Sequence, residues 1–255
     1  MRTSSARARV TERSPFRDVQ GPAATSSEQI AGSRNRFESI EFKIVRRDRG
    51  RSALPVIEIG ERLAAASVLV LLSPLLLIIG CVIILLSRGW SPLIAHRRVG
   101  LRGRVIWVLK FRSMWGGGRR PWAGLIEWLP ETRAKILPKA ANDPRVTSRF
   151  AAMCRRHSLD ELPQLWNVLR GEMALVGPRP LTRGELNEYY GRDARELLSR
   201  KPGLSGLWQI RGRSSLSYRQ RRRLDLFLIR KWSLGLYARI LIDTVPCVLN
   251  GKNAW

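Results

Sequence analysis

The sequence predicts a mostly helical α+β fold associated with a membrane. Three observations predict it: an uncharged apolar run over 63–87, a stretch over 96–111 that reads as a small β-hairpin, and Leu/Ile-rich amphipathic periodicity near the C-terminus. A chain of 255 residues has room for one substantial domain plus an anchor or tail. Lys and Arg number 46 against 20 Asp and Glu, a formal net charge of +26 that calls for an anionic partner: nucleic acid, anionic lipid or a phosphate-bearing substrate. Cys81, Cys154 and Cys247 are odd in number and widely spaced without companion histidines, so neither a disulfide framework nor zinc is expected, and a reducing cytosolic face fits.

Residues 1–52 are rich in Arg, Ser, Thr, Gly and Ala and too polar to bury a core, which predicts a disordered basic arm. No apolar h-region follows the first arginines, so this is not a secretory signal. The arm either is drawn to an anionic inner leaflet or is a spacer that tolerates charge. The membrane segment follows over 53–89. Its centre, Leu63 to Ser87, holds about two dozen residues without a charge between Arg62 and Arg88. Ser73-Pro74 lies in the middle, where a proline removes one backbone bond and kinks a helix. Hydropathy alone favours a straight span, since such residues are tolerated in spanning helices, and basic residues at both ends give little orientation.

The folded remainder covers 90–255. His96–Val99 and Arg104–Phe111 flank Gly100-Leu101-Arg102-Gly103, the hairpin. Lys110 and Arg112 are two apart and share a strand face, either to aim two cations at one diphosphate or as a solvated basic edge. Across Trp115–Ala141, Gly116-Gly117-Gly118 lacks the rest of a nucleotide-binding loop. Trp122 and Trp128, near Arg119, Arg120 and Arg133, suit either an interfacial helix or ordinary core packing.

The stretch from Asn142 to Pro180 concentrates the chemistry. Asp160 and Glu161 follow Arg155, Arg156 and His157, a positive field that keeps two acids ionised and attracts anions. Magnesium needs only one or two protein carboxylates when phosphate oxygens complete its shell, so the pair is sufficient scaffolding. Ser158-Leu159-Asp160-Glu161 also fits a capping box, but Pro163 then falls at the fifth helical position, where its missing N–H costs a bond. Arg179, bracketed in Gly177-Pro178-Arg179-Pro180, is held on a stiff extended turn suited to bidentate phosphate contact or simply to a rigid surface. Leu181–Arg200 reads as a solvated helix ended by Lys201-Pro202-Gly203. Arg211 and Arg213 follow beside Gly212. Tyr218–Ile229 is a basic helix containing Asp225, and Trp232–Val248 is amphipathic, fit to lie on a membrane or cover a core.

RRHSLDELPQLWNVLRGEMALVGPRP, with KFRSM at 110–114 and PGLSGLWQIRGR at 202–213, resembles the bacterial sugar transferase family, the monotopic polyprenyl-phosphate hexose-1-phosphate transferases. The resemblance runs from about Val56 to the C-terminus. It implies a re-entrant membrane helix broken at Ser73 and Pro74, with both ends cytoplasmic and the catalytic domain on the cytoplasmic face of the bacterial inner membrane. It implies a UDP-sugar donor, a polyprenyl (undecaprenyl) phosphate acceptor, UMP release and a role in starting exopolysaccharide synthesis; galactose or glucose is the sugar by analogy. Asp160 is then the nucleophile that carries a covalent phosphosugar, Glu161 with Asp160 holds Mg2+, and Lys110, Arg112, Arg155, Arg179 and Arg213 bind phosphate. Three departures stand out: Tyr237 where an Asp is usual, His96 where a Gln is common, and Ala151-Ala152-Met153-Cys154 where Gly-Arg-aliphatic-Leu is usual. Two other readings are a membrane-tethered basic protein for nucleic acid or acidic polymer, and a lipid-binding anchor of a polysaccharide export complex. Neither explains an Asp-Glu pair between phosphate-binding motifs, and nucleic acid is not the expected partner.

Overall fold

A computed structural model describes residues 54–87, 89–115, 124–130, 146 and 148–251. The basic arm expected over 1–52, with Trp122, Arg119, Arg120 and Arg133, lies outside them.

Helix α1 (Leu54–Ser87, 34 residues) continues through Ser73-Pro74. Pro74 cannot donate to the carbonyl of Val70 four residues back; the Ser73 hydroxyl donates there instead, at 2.8 Å, which satisfies the oxygen the proline orphans. Ala65 and Leu69 pack with Ile106, Val108, Leu165, Val168 and Met173. On the other side of the proline, Leu76, Ile79 and Ile83 pack with Phe111, Trp115, Ala151 and Cys154. The opposite face leaves Val70, Leu71, Leu77 and Leu85 70–78% exposed.

The predicted hairpin is present as β1 (Leu93–Val99) and β2 (Val105–Phe111), antiparallel about a 3-10 turn at Leu101–Gly103. Arg102 and Gly103 take φ of 54° and 80° to close it. A third strand, β3 (Ile126–Leu129), pairs parallel to β1, so β2 is an edge in the order β2-β1-β3. The described residues around Trp128 are therefore strand, and its ring meets Trp107 edge-on at 5.1 Å; an interfacial helix is not what forms there. Trp115 is core.

Helix α2 (Arg149–Arg156) is capped by the Ser148 hydroxyl and leads through Ser158 into a 3-10 turn, Leu159–Gln164, and helix α3 (Leu165–Leu169). Ser158 adopts left-handed φ 55° and makes no side-chain cap bond, so the capping-box geometry does not form; 3-10 winding accommodates Pro163 where an α-helix would not. Buried Asn167 on α3 clips this segment to the β2 edge. Its Oδ1 accepts from Leu109 N–H at 3.1 Å and its Nδ2 donates to Trp107 O at 2.7 Å, as another strand would.

Strands β4 (Ala174–Val176) and β5 (Gly203–Ser205) pair in parallel. A Cβ on Gly203 would lie 2.0 Å from Gly177 N, so glycine is required for the backbones to abut where the Pro178-Arg179-Pro180 turn leaves β4. The 181–200 region is not one solvated helix. It breaks into α4 (Arg183–Glu185), a π turn, a 3-10 turn and α5 (Ala194–Leu197), with Gly191 at φ 47°. Leu186, Tyr190, Ala194 and Leu197 are buried there against Val99 and Leu181. Helices α6 (Leu207–Arg211), α7 (Tyr218–Arg230) and α8 (Leu234–Asn250) complete the body, and Leu207, Leu228 and Ile240 pack on Val176.

Candidate active site

The elements above enclose a cavity of about 500 Å3. Its polar wall carries Lys110 and Ser113 from the end of β2, Arg155 from α2, Asp160 and Glu161 from the 3-10 turn, Arg179 from the Pro-bracketed turn and Arg213 after α6. Both carboxylates are held by groups from the end of β2. Ser113 Oγ donates to Asp160 Oδ2 at 3.3 Å, and Lys110 Nζ lies 2.5 Å from Glu161 Oε1. Arg179 Nη1 is 3.7 Å from the same Glu161 oxygen. Consecutive residues in a 3-10 turn diverge by about a third of a rotation, so the two acids address different partners while bordering one cavity.

Arg179 is held from behind. Its guanidinium lies 5.6 Å from the Trp208 ring centroid, and its charge acts on Asp225 of α7, which is fully buried and accepts from Tyr190 Oη at 2.7 Å. Burial pushes the Asp225 carboxyl up to about 7 against the opposing pull of the Tyr190 bond and the Arg179 charge.

Arg213 points into the site's own backbone. It donates to Ser158 Oγ and approaches the carbonyls of Arg156 and Cys247 at 3.4 Å each, tying together the end of α2, the residue before the acidic turn, and α8. Like Ser158 it is left-handed, at φ 49°. Arg112 does not line the cavity with Lys110. It is buried between the Ser91 carbonyl (Nε, 2.8 Å), Glu127 of β3 and the Trp90 ring, just beyond the end of β2, where its own N–H still pairs with the Pro92 carbonyl. The pairing of Lys110 and Arg112 on one phosphate thus gives way to Lys110 at the cavity and Arg112 in a buried ion pair.

The departures have local explanations. His96 borders the cavity; burial and the charges of Arg98, Lys110, Arg112 and Arg179 push it down to about 3, so it serves as a neutral donor-acceptor, as a Gln amide would. Tyr237 Oη donates at 2.8 Å to Glu61 Oε1, which also accepts from Leu175 N–H at 2.9 Å; an aspartate in that place would face a carboxylate instead of serving it. Ala151 and Cys154 are core residues against α1, away from the cavity.

The adjacent carboxylates are hard oxygen donors and fit magnesium, whose usual protein complement is one or two carboxylates. No cluster of three or more His, Cys, Asp or Glu occurs among the described residues, so a cation here would take its other ligands from phosphate and water. Ser113, Trp208 and Asp225 were not singled out by spacing, although Ser113 and Trp208 lie inside the KFRSM and PGLSGLWQIRGR segments.

Comparison with known proteins identifies the family. The family described as bacterial sugar transferase matches residues 54–251. The UDP-galactose-lipid carrier transferase of Erwinia amylovora is 43% identical over 194 residues, 75% of this chain and 40% of that protein. The exopolysaccharide production protein ExoY of Rhizobium meliloti is 40% identical over 195 residues, 76% of this chain and 85% of that protein. The UDP-glucose:undecaprenyl-phosphate glucose-1-phosphate transferase of Caulobacter vibrioides is 37% identical over 200 residues, 75% of this chain and 69% of that protein. The chain thus spans less than half the length of the first of these relatives but most of the second. With the match extending from the start of α1 to the end of α8, this chain belongs to the bacterial sugar transferase family.

Proposed function

We propose that the protein transfers a sugar 1-phosphate from a UDP-sugar to polyprenyl phosphate at the cytoplasmic face of the inner membrane, the first step of an exopolysaccharide or related glycan. The observation that carries this is a half-buried Asp160 bordering a cavity that also holds Glu161 and the cations Lys110, Arg155 and Arg179. An Asp160 oxygen attacks the sugar-bearing phosphorus. The bond from that phosphorus to the UMP oxygen breaks, UMP leaves, and an acyl phosphosugar remains on the enzyme. An oxygen of polyprenyl phosphate then attacks the same phosphorus, forming the lipid diphosphate sugar and restoring the carboxylate. Lys110 and Arg179 offset charge on the phosphate oxygens, and Ser113 orients the nucleophile through Oδ2. Glu161 with Asp160 would hold magnesium, which supplies neutralisation of the diphosphate. The names of the relatives favour galactose or glucose as the sugar.

The test is UMP release from a panel of UDP-sugars by detergent-purified protein with polyprenyl phosphate and magnesium, alongside Asp160→Asn. Release with one donor and a mass increase on the intact protein equal to one sugar phosphate, both lost in Asp160→Asn, support the mechanism. Turnover that survives Asp160→Asn refutes the covalent step.

A further inference from the structure

Helix α8 separates the cavity from the outside, and its side chains are arranged in arcs. At about 100° per residue, Leu241, Thr244 and Val248, all bordering the cavity, fall within an arc of about 60°. Val245, Leu249 and Ile242 occupy the adjoining arc of similar width and are 59%, 70% and 70% exposed. Beyond them comes the polar ridge of Arg239 and Asp243, 3.8 Å apart, and on the far side of the cavity arc lies fully buried Ile240. The surface of α8 therefore runs from the core, past Thr244, whose hydroxyl is engaged by Ile240 O and Ser205 Oγ, across Leu241 and Val248 at the cavity wall, and out onto exposed apolar surface. The same cavity is also bordered by Lys110, Arg155, Arg179 and the two acids, none of them on α8.

A UDP-sugar is polar at both ends and has no use for such a wall. A polyprenyl phosphate needs it: its anionic head must reach Asp160 while its branched hydrocarbon tail stays in an apolar medium. We infer that the Leu241–Thr244–Val248 stripe of α8 seats the first isoprene units of the lipid acceptor, and that the tail leaves the cavity over Val245 and Leu249 into the bilayer. The inference rests on the proposed transfer reaction and assigns one wall of its site to the acceptor. The donor is then confined to the polar wall, and the two substrates are distinguished by which wall they use.

Two measurements test it. In Val248→Trp the added ring fills the stripe, and overpacking of this kind raises KM for long-chain polyprenyl phosphate roughly tenfold while KM for the UDP-sugar stays within about twofold. An equal rise in both constants, or no change in the acceptor constant, overturns the inference. The second uses the unmodified protein: a short prenyl phosphate bearing a benzophenone on its second isoprene unit, photolysed in detergent and mapped by peptide mass. Adducts within Leu234–Asn250 are expected; adducts confined to other segments overturn the assignment. Should Val248→Trp fail to fold, photolabelling decides alone. The unmodified protein also serves as the control for the reaction: absence of UMP release counts against the proposed transfer, whereas normal release with labels elsewhere counts only against the seat on α8.

Discussion

Replacing Lys110 with Met keeps the length and apolar stem of the side chain and removes only the ammonium. In the native site that ammonium sits 2.5 Å from Glu161 Oε1, with both side chains 18% exposed, and Arg179 stands 3.7 Å from the same oxygen. Removing one partner of a fully buried pair costs about 3–5 kcal/mol, and solvent at this site reduces that to roughly 1–2 kcal/mol of stability. The catalytic loss is larger. A preorganised donor aimed at developing phosphate charge is worth about 3–4 kcal/mol, so UMP release should fall about 100- to 1000-fold in kcat. Lys110→Arg restores charge with a wider head and should recover part of the loss. The assay is UMP release at saturating donor, with a thermal melt on the same preparation. Activity within about threefold of the native rate, in a variant with an unchanged melt, would refute the assignment of Lys110 to the reacting phosphate.

Arg112→Met should behave differently: losing the contacts to the Ser91 carbonyl, Glu127 and Trp90 costs about 2–4 kcal/mol and lowers the melt sharply, while folded enzyme keeps its KM for donor, measured by active-fraction titration. His96 has a folded value of about 3, below its ordinary 6.5, so the unfolded chain takes up the proton first and stability is lost as pH falls from 6.5 toward 3; at pH 5 this amounts to about 2 kcal/mol. His96→Gln should abolish that loss in a melt-versus-pH series and leave UMP release within about threefold. Asp225 has the opposite sign: its folded value of about 7 lies above the ordinary 3.8, so stability is present at low pH and falls by up to about 4 kcal/mol as pH rises between the two. Between pH 4 and 6.5 the two effects oppose each other in the native protein, and Asp225→Asn should uncover the acid-side loss that His96 produces. Parallel slopes in both variants would contradict these protonation states.

Legibility followed the range of the interactions. The β1–β2 hairpin could be read because alternation and the Gly100–Gly103 bracket are local signals, and α7 and α8 because their helical periodicity is long. Strands β3, β4 and β5 are three or four residues long, and each exists only through a partner remote in sequence. The Ser158–Glu161 pattern promised a capping box on local grounds, yet Arg213 reaches Ser158 from 55 residues away and a left-handed turn replaces the cap. The cations divided in the same way. Lys110, Arg155, Arg179 and Arg213 border the cavity, while Arg112 pairs with Glu127, a residue whose strand leaves no local trace. Asp225 reads as one acid in a basic helix; its burial and its electrostatic coupling to Arg179 and Tyr190 are what connect it to the site.

The contacts of α1 bear on how the chain meets the membrane. A straight helix of 34 residues is about 50 Å long, and a crossing of the hydrocarbon core occupies about 30 Å of it. A spanning helix would therefore carry most of its length away from a body folded on one side. Instead Glu61 holds Leu175 and Tyr237, Ala65 and Leu69 join one core cluster, and Leu76, Ile79 and Ile83, beyond Pro74, join another in the same body. One face of α1 is thus occupied by protein on both sides of the proline, and the other, with Val70, Leu71, Leu77 and Leu85, is free for lipid. In the proposed re-entrant placement, that free face would lie in lipid while the protein-facing side stays against the body. Because α1 packs against β2 and the acidic turn on both sides of the proline, wherever it sits in lipid would set the depth at which Asp160 and Glu161 meet an acceptor phosphate.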